Sequence, residues 1–276
     1  MRIGAWDSDS GDVYVIAEAG INHHGDEGAA HALVRAAVDA GANAVKFQWF
    51  NVDALKARRG PQAESLRPYV LSADAMGALQ AECEHQGITF LCSVFDLESA
   101  DAYLALDPPA VKIGSGELGE HHLIKRAASY GKPMILSTGM AEMYQIQAAL
   151  QAIVQPGLAK WSRLALLHCV SAYPTPLDQV NLRALDALKA FHCPVGFSDH
   201  TLGYIATTHA VARGACIIEK HLTLDPTLPG PDHRASMTPE MFARMVAEIR
   251  QVTAMLGHGR KEPMPCEAET MRACGR

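Results

Sequence analysis

A short apolar run rich in β-branched residues, a loop and an Ala/Leu-rich stretch with helical spacing follow one another eight times along this chain. The runs are Val13–Ala17, Ala44–Phe47, Thr89–Cys92, Ala110–Ile113, Met134–Ser137, Leu164–His168, Val195–Ser198 and Ile217–His221. Continuous apolar runs of this length describe strands buried on both faces, and strands alternating with helices describe a parallel sheet. Ala30, Leu33, Val34, Ala37 and Val38 make one helical stripe, and Met241, Met245, Ile249 and Val252 another. Eight such units in 276 residues fit a single (β/α)8 TIM barrel. A doubly wound open sheet is the alternative; it needs fewer strands and a Gly-rich turn after the first, and Glu18-Ala19-Gly20-Ile21-Asn22-His23-His24-Gly25 does not match GxGxxG. The expected organisation is a lead-in at 1–12 with a hairpin at Asp9-Ser10-Gly11, a barrel at 13–262, and a frayed Gly-, Pro- and charge-rich tail at 263–276.

Composition matters here for what it excludes. The net charge of −6 gives no basic field for nucleic acid, so any anionic substrate must be held by local cations, a metal or backbone dipoles. No run of about 18 apolar residues is present to span a membrane, and Asp7, Asp9 and Asp12 precede the first apolar run, unlike a signal peptide. The seven cysteines are odd in number and include no CxxC pair; Cys92, Cys169 and Cys216 sit in apolar stretches. They read as reduced thiols of a cytoplasmic protein.

Polar residues gather at the C-terminal ends of the runs, the face where TIM barrels carry their active sites. They are Glu18 with Asn22 and His23; Lys46 and Gln48; Ser93; Lys112 with Ser115 and Glu117; Ser137 and Thr138; His168 with Ser171 and Tyr173; Ser198, Asp199 and His200; Glu219, Lys220 and His221. One lysine inside a strand means little, whereas Lys46 and Lys112 in separate buried strands each require an anionic partner or a lowered pKa. With the hydroxyls of Ser115, Ser137 and Ser198 they suit a phosphate or carboxylate cradle, point charge from lysine and directed hydrogen bonds from hydroxyls. Internal Lys–Glu pairs, with Glu18 and Glu117, are the plain structural alternative. His200 and His221 end neighbouring strands and could converge on one divalent ion completed by oxygen ligands, or be two hydrogen-bonded core histidines. His233, His23 and His24 are weaker ligand candidates. A Schiff-base aldolase using Lys112 or Lys46 is a competing chemistry on the same barrel, and a non-catalytic sugar-binding or PEP-binding barrel is a third reading.

Several motifs in order resemble the sialic acid synthases. They are Val15-Ile16-Ala17-Glu18-Ala19-Gly20-Ile21-Asn22-His23, Ala44-Val45-Lys46-Phe47-Gln48, Lys112-Ile113-Gly114-Ser115-Gly116-Glu117, Leu136-Ser137-Thr138-Gly139-Met140, His168-Cys169 with Tyr173-Pro174-Thr175-Pro176, Gly196-Phe197-Ser198-Asp199-His200-Thr201 and Glu219-Lys220-His221. The resemblance implies a TIM barrel that condenses phosphoenolpyruvate (PEP) with an open-chain sugar aldehyde, N-acetylmannosamine-like, to a 3-deoxy-2-ulosonic acid and phosphate. It implies a divalent metal, Mn2+ or Mg2+, on His200 and His221. It implies PEP on Lys46, Ser93, Lys112, Ser115, Ser137, Ser171 and Ser198, and the sugar or reacting centre near Glu18, Gln48, Glu117, Tyr173 and Asp232. Glu18, Glu117, Lys112, His200 and His221 are the expected catalytic set. Where many family members have Thr after the third strand and Asn in the loop after the sixth, this chain has Ser93 and Ser171. The family barrel is followed by an antifreeze-like domain, for which the sequence to Arg276 leaves no room; the expectation is a barrel without it and, if dimeric, not by exchange of that domain.

Overall fold

In the computed structural model, which describes residues 1–155 and 157–275, eight parallel strands close into a barrel, each beside the next in chain order and the last beside the first. They are β3 (Tyr14–Gly20), β4 (Ala44–Trp49), β5 (Thr89–Val94), β6 (Val111–Ile113), β7 (Met134–Ser137), β8 (Leu164–Cys169), β9 (Val195–Asp199) and β10 (Ile217–His221). The eight expected runs are these eight strands, and they form a (β/α)8 TIM barrel. The first runs three residues further than its apolar pattern suggests. Glu18 lies in register with Lys46 on β4, so its charge is paired inside the barrel and the strand can continue through a shift of register to Gly20.

The helices covering the strands are α1 (Glu27–Asp39), α2 (Val52–Arg59), α3 (Ala73–Gln86), α4 (Leu97–Ala105), α5 (His121–Ser129), α6 (Met143–Val154), α7 (Ala184–Leu188), α8 (Ile205–Ala212) and α9 (Pro239–Leu256). Asp26, Asn51, Ser72, Asp96 and Thr238 cap α1, α2, α3, α4 and α9 by accepting from first-turn backbone N–H groups. On α1, Ala30, Leu33, Val34 and Ala37 are buried as expected, with Val38 at the edge. On α9 the stripe is displaced: Phe242, Met245, Val246 and Ile249 are buried while Met241 is exposed and Val252 half-buried. The phenyl ring offers more apolar area than the thioether and takes the core-facing position.

Two further expectations are corrected. The N-terminal hairpin is β1 (Arg2–Ile3) against β2 (Trp6–Asp7), turning at Gly4-Ala5 and not at Asp9-Ser10-Gly11. Gly4 takes a positive φ of 55° at the reversal, and the turn sends Ile3 and Trp6 together into the base of the barrel. The tail is not wholly frayed, because Ala268–Ala273 form a short exposed helix, α10, after the turn at Pro265–Glu267.

The core has two shells. One lies between strands and helices. The other fills the barrel below the rim with Tyr14, Ile16, Leu91, Ile135, Leu167 and Ile217, closed beneath by Ile3 and Trp6. Truncating a fully buried residue such as Leu33 or Leu136 to alanine should cost about 2–5 kcal/mol. β9 carries a glycine of necessity: a Cβ on Gly196 would lie 2.4 Å from the Ile217 carbonyl and 2.5 Å from Leu167 Cδ2. Because all eight strands are parallel, their C-terminal ends meet at one rim. A small separate apolar cluster of Ile21, Phe50, Val52, Leu55 and Ala63, with Leu66 and Phe95, covers part of that rim, built largely from α2 and the 3-10 segment Pro61–Tyr69.

Candidate active site

Strand periodicity decides which rim residues face inward, since successive side chains point to opposite sides. On β4 this turns Lys46 and Gln48 into the barrel, on β9 Ser198 and then His200, and on β10 Glu219 and His221. All of the site residues expected from sequence line one cavity of about 460 Å³ at the rim: Glu18, Lys46, Gln48, Ser93, Lys112, Ser115, Glu117, Ser137, Ser171, Tyr173, Ser198, His200, His221 and Asp232. That volume lies in the range of small-molecule sites.

The floor is a charged lattice. Lys46 Nζ donates to Ser93 Oγ at 2.7 Å and lies 2.6 Å from Glu18 and 3.7 Å from Glu219. Lys112 Nζ donates to Ser137 Oγ at 2.7 Å and to the Ile113 carbonyl at 3.2 Å, and stands 3.8 Å from Glu219. Ser198 donates to Glu219 at 3.1 Å. Burial opposes charge on every one of these groups. For Lys46 the carboxylates of Glu18 and Glu219 outweigh it and hold the pKa above the ordinary lysine value. For Lys112 burial prevails over Glu219, and the nearby Lys46 adds to the lowering. Glu219 is held below the usual carboxylate range, its burial overcome by Lys112, Lys46 and the two histidines. Glu18 is raised by burial despite Lys46, with repulsion from Glu219 adding to the rise. The Lys–Glu pairs foreseen as the structural alternative are present, with one correction: Lys112 faces Glu219, and Glu117 pairs elsewhere.

Beside the floor, Ser115 Oγ accepts from the Gly139 N–H at 3.0 Å and lies 3.1 Å from Cys169 Sγ. A Cβ on Gly139 would sit 2.4 Å from Ser171 Oγ and 2.9 Å from Cys169 Sγ and Ser115 Oγ, so a single methyl would fill this polar notch. Gly20, at φ 53°, opens a similar space: a Cβ there would lie 3.2 Å from Glu18, 3.3 Å from Gln48 and 3.6 Å from Asp232. Gln48 donates to Glu18 at 3.2 Å.

On the β9–β10 side, His200 Nδ1 donates to the Val170 carbonyl at 2.7 Å, which leaves the Nε2 lone pair directed toward the cavity. Burial, reinforced by His221, lowers the His200 pKa to about 4, so the ring is neutral. His221 lies with its ring centroid 5.6 Å from that of His200; its Nδ1 is buried without a hydrogen-bond partner, 3.8 Å from Asp232. The Tyr173 ring packs on both, at 4.2 Å and 5.9 Å. Two imidazoles, one with an orphaned nitrogen, next to carboxylates form a donor set that fits a borderline divalent ion. Among the described residues no three His, Cys, Asp or Glu side chains converge to enclose an ion. Such an ion would take two protein nitrogens and complete its shell from water or substrate.

Glu117 is buried at the other charged cluster of the cavity. It accepts from Arg58 at 3.0 Å and from Arg59, both at the end of α2. Burial raises its pKa, and the two guanidinium groups, Arg59 more than Arg58, pull against that rise.

The weaker histidine candidates lie outside the cavity and brace its loops. His233 meets His24 at 2.7 Å and Thr223 Oγ1 at 2.7 Å, and His23 accepts from the Gly25 N–H at 3.0 Å. His168 donates to the Val180 carbonyl at 2.8 Å, behind the strand. Lys220 and Asp199 also point outward, forming a fully buried pair at 3.0 Å; Lys220 donates to the Thr201 carbonyl, and Asp199 accepts from Thr201 N–H and Thr207 Oγ1. Conversely, Glu219, Arg59 and Cys169 line the cavity without having been singled out as site residues. For Glu219 the signal was present: alternation along Ile217–His221 puts it on the same face as His221. Arg59 carried none, because a helix of the second connection brings it to the rim.

Fold and cavity together define a TIM barrel with a buried, lysine-lined cavity at the C-terminal ends of its strands. A model of the NeuB family matches residues 33–261. The chain is 41% identical over 267 residues to N,N'-diacetyllegionaminic acid synthase of Legionella pneumophila, covering 91% of this chain and 75% of that one. It is 40% identical over 272 residues to the N,N'-diacetyllegionaminic acid synthase of Campylobacter jejuni, covering 93% and 81%. The structure of N-acetylneuraminic acid (sialic acid) synthetase from Leptospira borgpetersenii, solved with citrate, superposes with a TM-score of 0.91 at 33% identity, covering 100% of this chain and 96% of that one. The chain belongs to the NeuB family. Among the described residues no helix is long and apolar enough to cross a membrane.

Proposed function

We propose that this protein condenses PEP with an aldose or amino-sugar aldehyde, N-acetylmannosamine-like, giving a 3-deoxy-2-ulosonic acid and inorganic phosphate. The observation that carries the reading is the pairing of two buried lysines, bridged by Glu219 and backed by Ser93 and Ser137, in the same cavity as two cavity-facing histidines. The named activities of the relatives support it. Lys46 and Lys112 neutralise the carboxylate and phosphate of PEP, with Ser93, Ser137, Ser198 and the notch of Ser115 and Ser171 supplying directed hydrogen bonds. Gln48, Glu18, Tyr173 and Asp232 surround the acceptor.

His200 and His221 would hold a divalent ion, Mn2+ or Mg2+, which supplies Lewis-acid polarisation of an aldehyde oxygen when bound. The protein's own residues do the rest. The cradle fixes PEP so that its C3 meets the aldehyde carbon, which converts a two-body encounter into a positioned reaction. As the C–C bond forms, positive charge develops at C2, and the carboxylates of the cavity face it. Water adds at C2, its proton passing to Glu117 or Glu18 and on to the oxygen of the former aldehyde; the hemiketal phosphate then collapses, its C2 hydroxyl becoming the ketone as the C2–O bond to phosphate breaks and the hydroxyl proton leaves with the phosphate.

The test is phosphate release from PEP with manganese across a panel of aldoses and N-acetylated amino sugars, with and without chelator, with the 3-deoxy-ulosonate product assayed alongside. Chelator-sensitive release with one aldehyde supports the reading and names the acceptor. Failure of PEP to bind in calorimetry refutes it. The lowered pKa of Lys112 is the feature that favours a Schiff-base aldolase; borohydride trapping of a lysine adduct with substrate would establish that chemistry instead.

A further inference from the structure

The Glu117 carboxylate is almost wholly buried, and two glycines of its own turn shape its surroundings. A Cβ on Gly114 would lie 2.8 Å from Glu117 Oε2, and a Cβ on Gly116 would lie 3.0 Å from the Arg59 guanidinium. The turn Gly114-Ser115-Gly116-Glu117 is thus open enough for the carboxylate to fold back on it and for an arginine from another segment to reach across. That arginine comes with its neighbour: Arg58 and Arg59 both donate to Glu117 Oε1. The Arg59 guanidinium also packs over the Phe95 ring at 5.6 Å, which fixes its plane. Both arginines end α2, whose other side joins the apolar cluster on the rim.

We propose that Arg58 and Arg59 are positioning residues for Glu117, holding its carboxylate in place at the cavity wall while tying the α2 segment to the barrel mouth. The proposal rests on the condensing reading above. It assigns the arginines no contact with PEP, whose counterions are Lys46 and Lys112. The charged groups meeting Glu117 are Arg58 and Arg59 from α2, with Glu120 3.6 Å beyond Arg58. Among the described residues, Lys112 and Glu219 on the strands of the same cavity form no ion pair with it. With burial favouring the neutral acid and the arginines opposing it, removal of either arginine moves Glu117 toward protonation.

The experiment compares wild type, Arg58→Met, Arg59→Met and Arg59→Lys in phosphate release against pH, with PEP affinity by calorimetry and melting temperature for each. Among the described residues Arg58 has no aromatic stack, so Arg58→Met keeps the test open if Arg59→Met folds poorly. The expected result is an acidic limb of kcat/KM displaced upward by about one pH unit in each Met variant, a tenfold change in the ionised fraction below that limb. Arg59→Lys restores most of the loss, and the Kd for PEP stays within about twofold throughout, as expected for cations that do not touch it. An unmoved limb, or a PEP Kd that weakens in step with kcat/KM, overturns the proposal. Wild type is measured first: absence of PEP binding or phosphate release overturns the condensing reading and the proposal with it, whereas their presence with an unmoved limb overturns the clamp alone.

Discussion

Replacing Lys220 by methionine should be among the most damaging single changes outside the cavity. Neither Lys220 nor Asp199 has any exposed surface, and the pair is 3.0 Å apart. At that separation, with an effective dielectric of about 20, the attraction is about 5–6 kcal/mol. Desolvation of the two charges offsets much of this, so the pair as a whole adds little; losing one partner leaves a buried charge and costs about 3–5 kcal/mol. Asp199 would keep the Thr201 N–H and Thr207 hydroxyl, which places the expected loss toward the lower end. The double variant Asp199→Asn/Lys220→Met should return to within about 1 kcal/mol of the parent. Urea unfolding followed by circular dichroism at pH 7 reads this directly. With a slope of about 2–3 kcal/mol per molar, the single variant should lose about 1–2 M in midpoint. The complementary Asp199→Asn variant has a pH signature. Burial already lowers the Lys220 pKa against the pull of Asp199, and without that carboxylate it falls further. The folded state then binds fewer protons than the unfolded one, so stability rises with pH from the lowered folded value up to the ordinary lysine value of about 10.4. A Lys220→Met loss below about 1 kcal/mol, or a double variant as unstable as the single, would refute this reasoning.

Other outcomes follow from the same geometry. Lys112→Met should weaken PEP binding at least tenfold in calorimetry, because Lys46 alone remains to meet two anionic groups. Gly139→Ala should abolish PEP binding while leaving the melting temperature within a few degrees, since its methyl fills the notch between Ser171, Cys169 and Ser115. His221→Ala should remove chelator-sensitive activity and lower manganese affinity in titration calorimetry, with the far-ultraviolet spectrum unchanged. Gly196→Ala should destabilise by about 1–3 kcal/mol in urea unfolding, because its Cβ collides with the backbone of the next strand.

Much of this molecule was legible in its amino-acid order. Eight apolar runs gave eight barrel strands, because strands covered on both faces leave an unbroken hydrophobic signal. The polar residues ending those runs converge because parallel strands deliver all their C-terminal ends to one rim. What stayed hidden depends on which way a side chain turns, or on segments without a period of their own. Lys46 and Lys220 are both buried strand lysines; one faces the cavity and the other faces the helices, as strand alternation determines once the phase is known. Arg58 and Arg59 lie in the stretch after the second strand, where charge is frequent and no pattern marks two arginines as bound for a buried glutamate. Asp9-Ser10-Gly11 has stronger turn chemistry than Gly4-Ala5, yet burial of Ile3 and Trp6 decides where the hairpin turns.

That hairpin bears on the order in which the barrel is completed. Ile3 and Trp6 belong to a cluster drawn from the inward faces of β3, β4, β5, β7, β8 and β10, the last of which begins more than two hundred residues later. The N-terminal hairpin is therefore a stopper for a vessel whose last stave lies more than two hundred residues further along the chain. Until β10 closes against β3, Trp6 has no complete socket, and the shaft beneath Lys46 and Lys112 stands open to water. Seating of Trp6 should accordingly report closure of the whole cylinder, and its fluorescence would time the moment at which the two lysines lose contact with solvent from below.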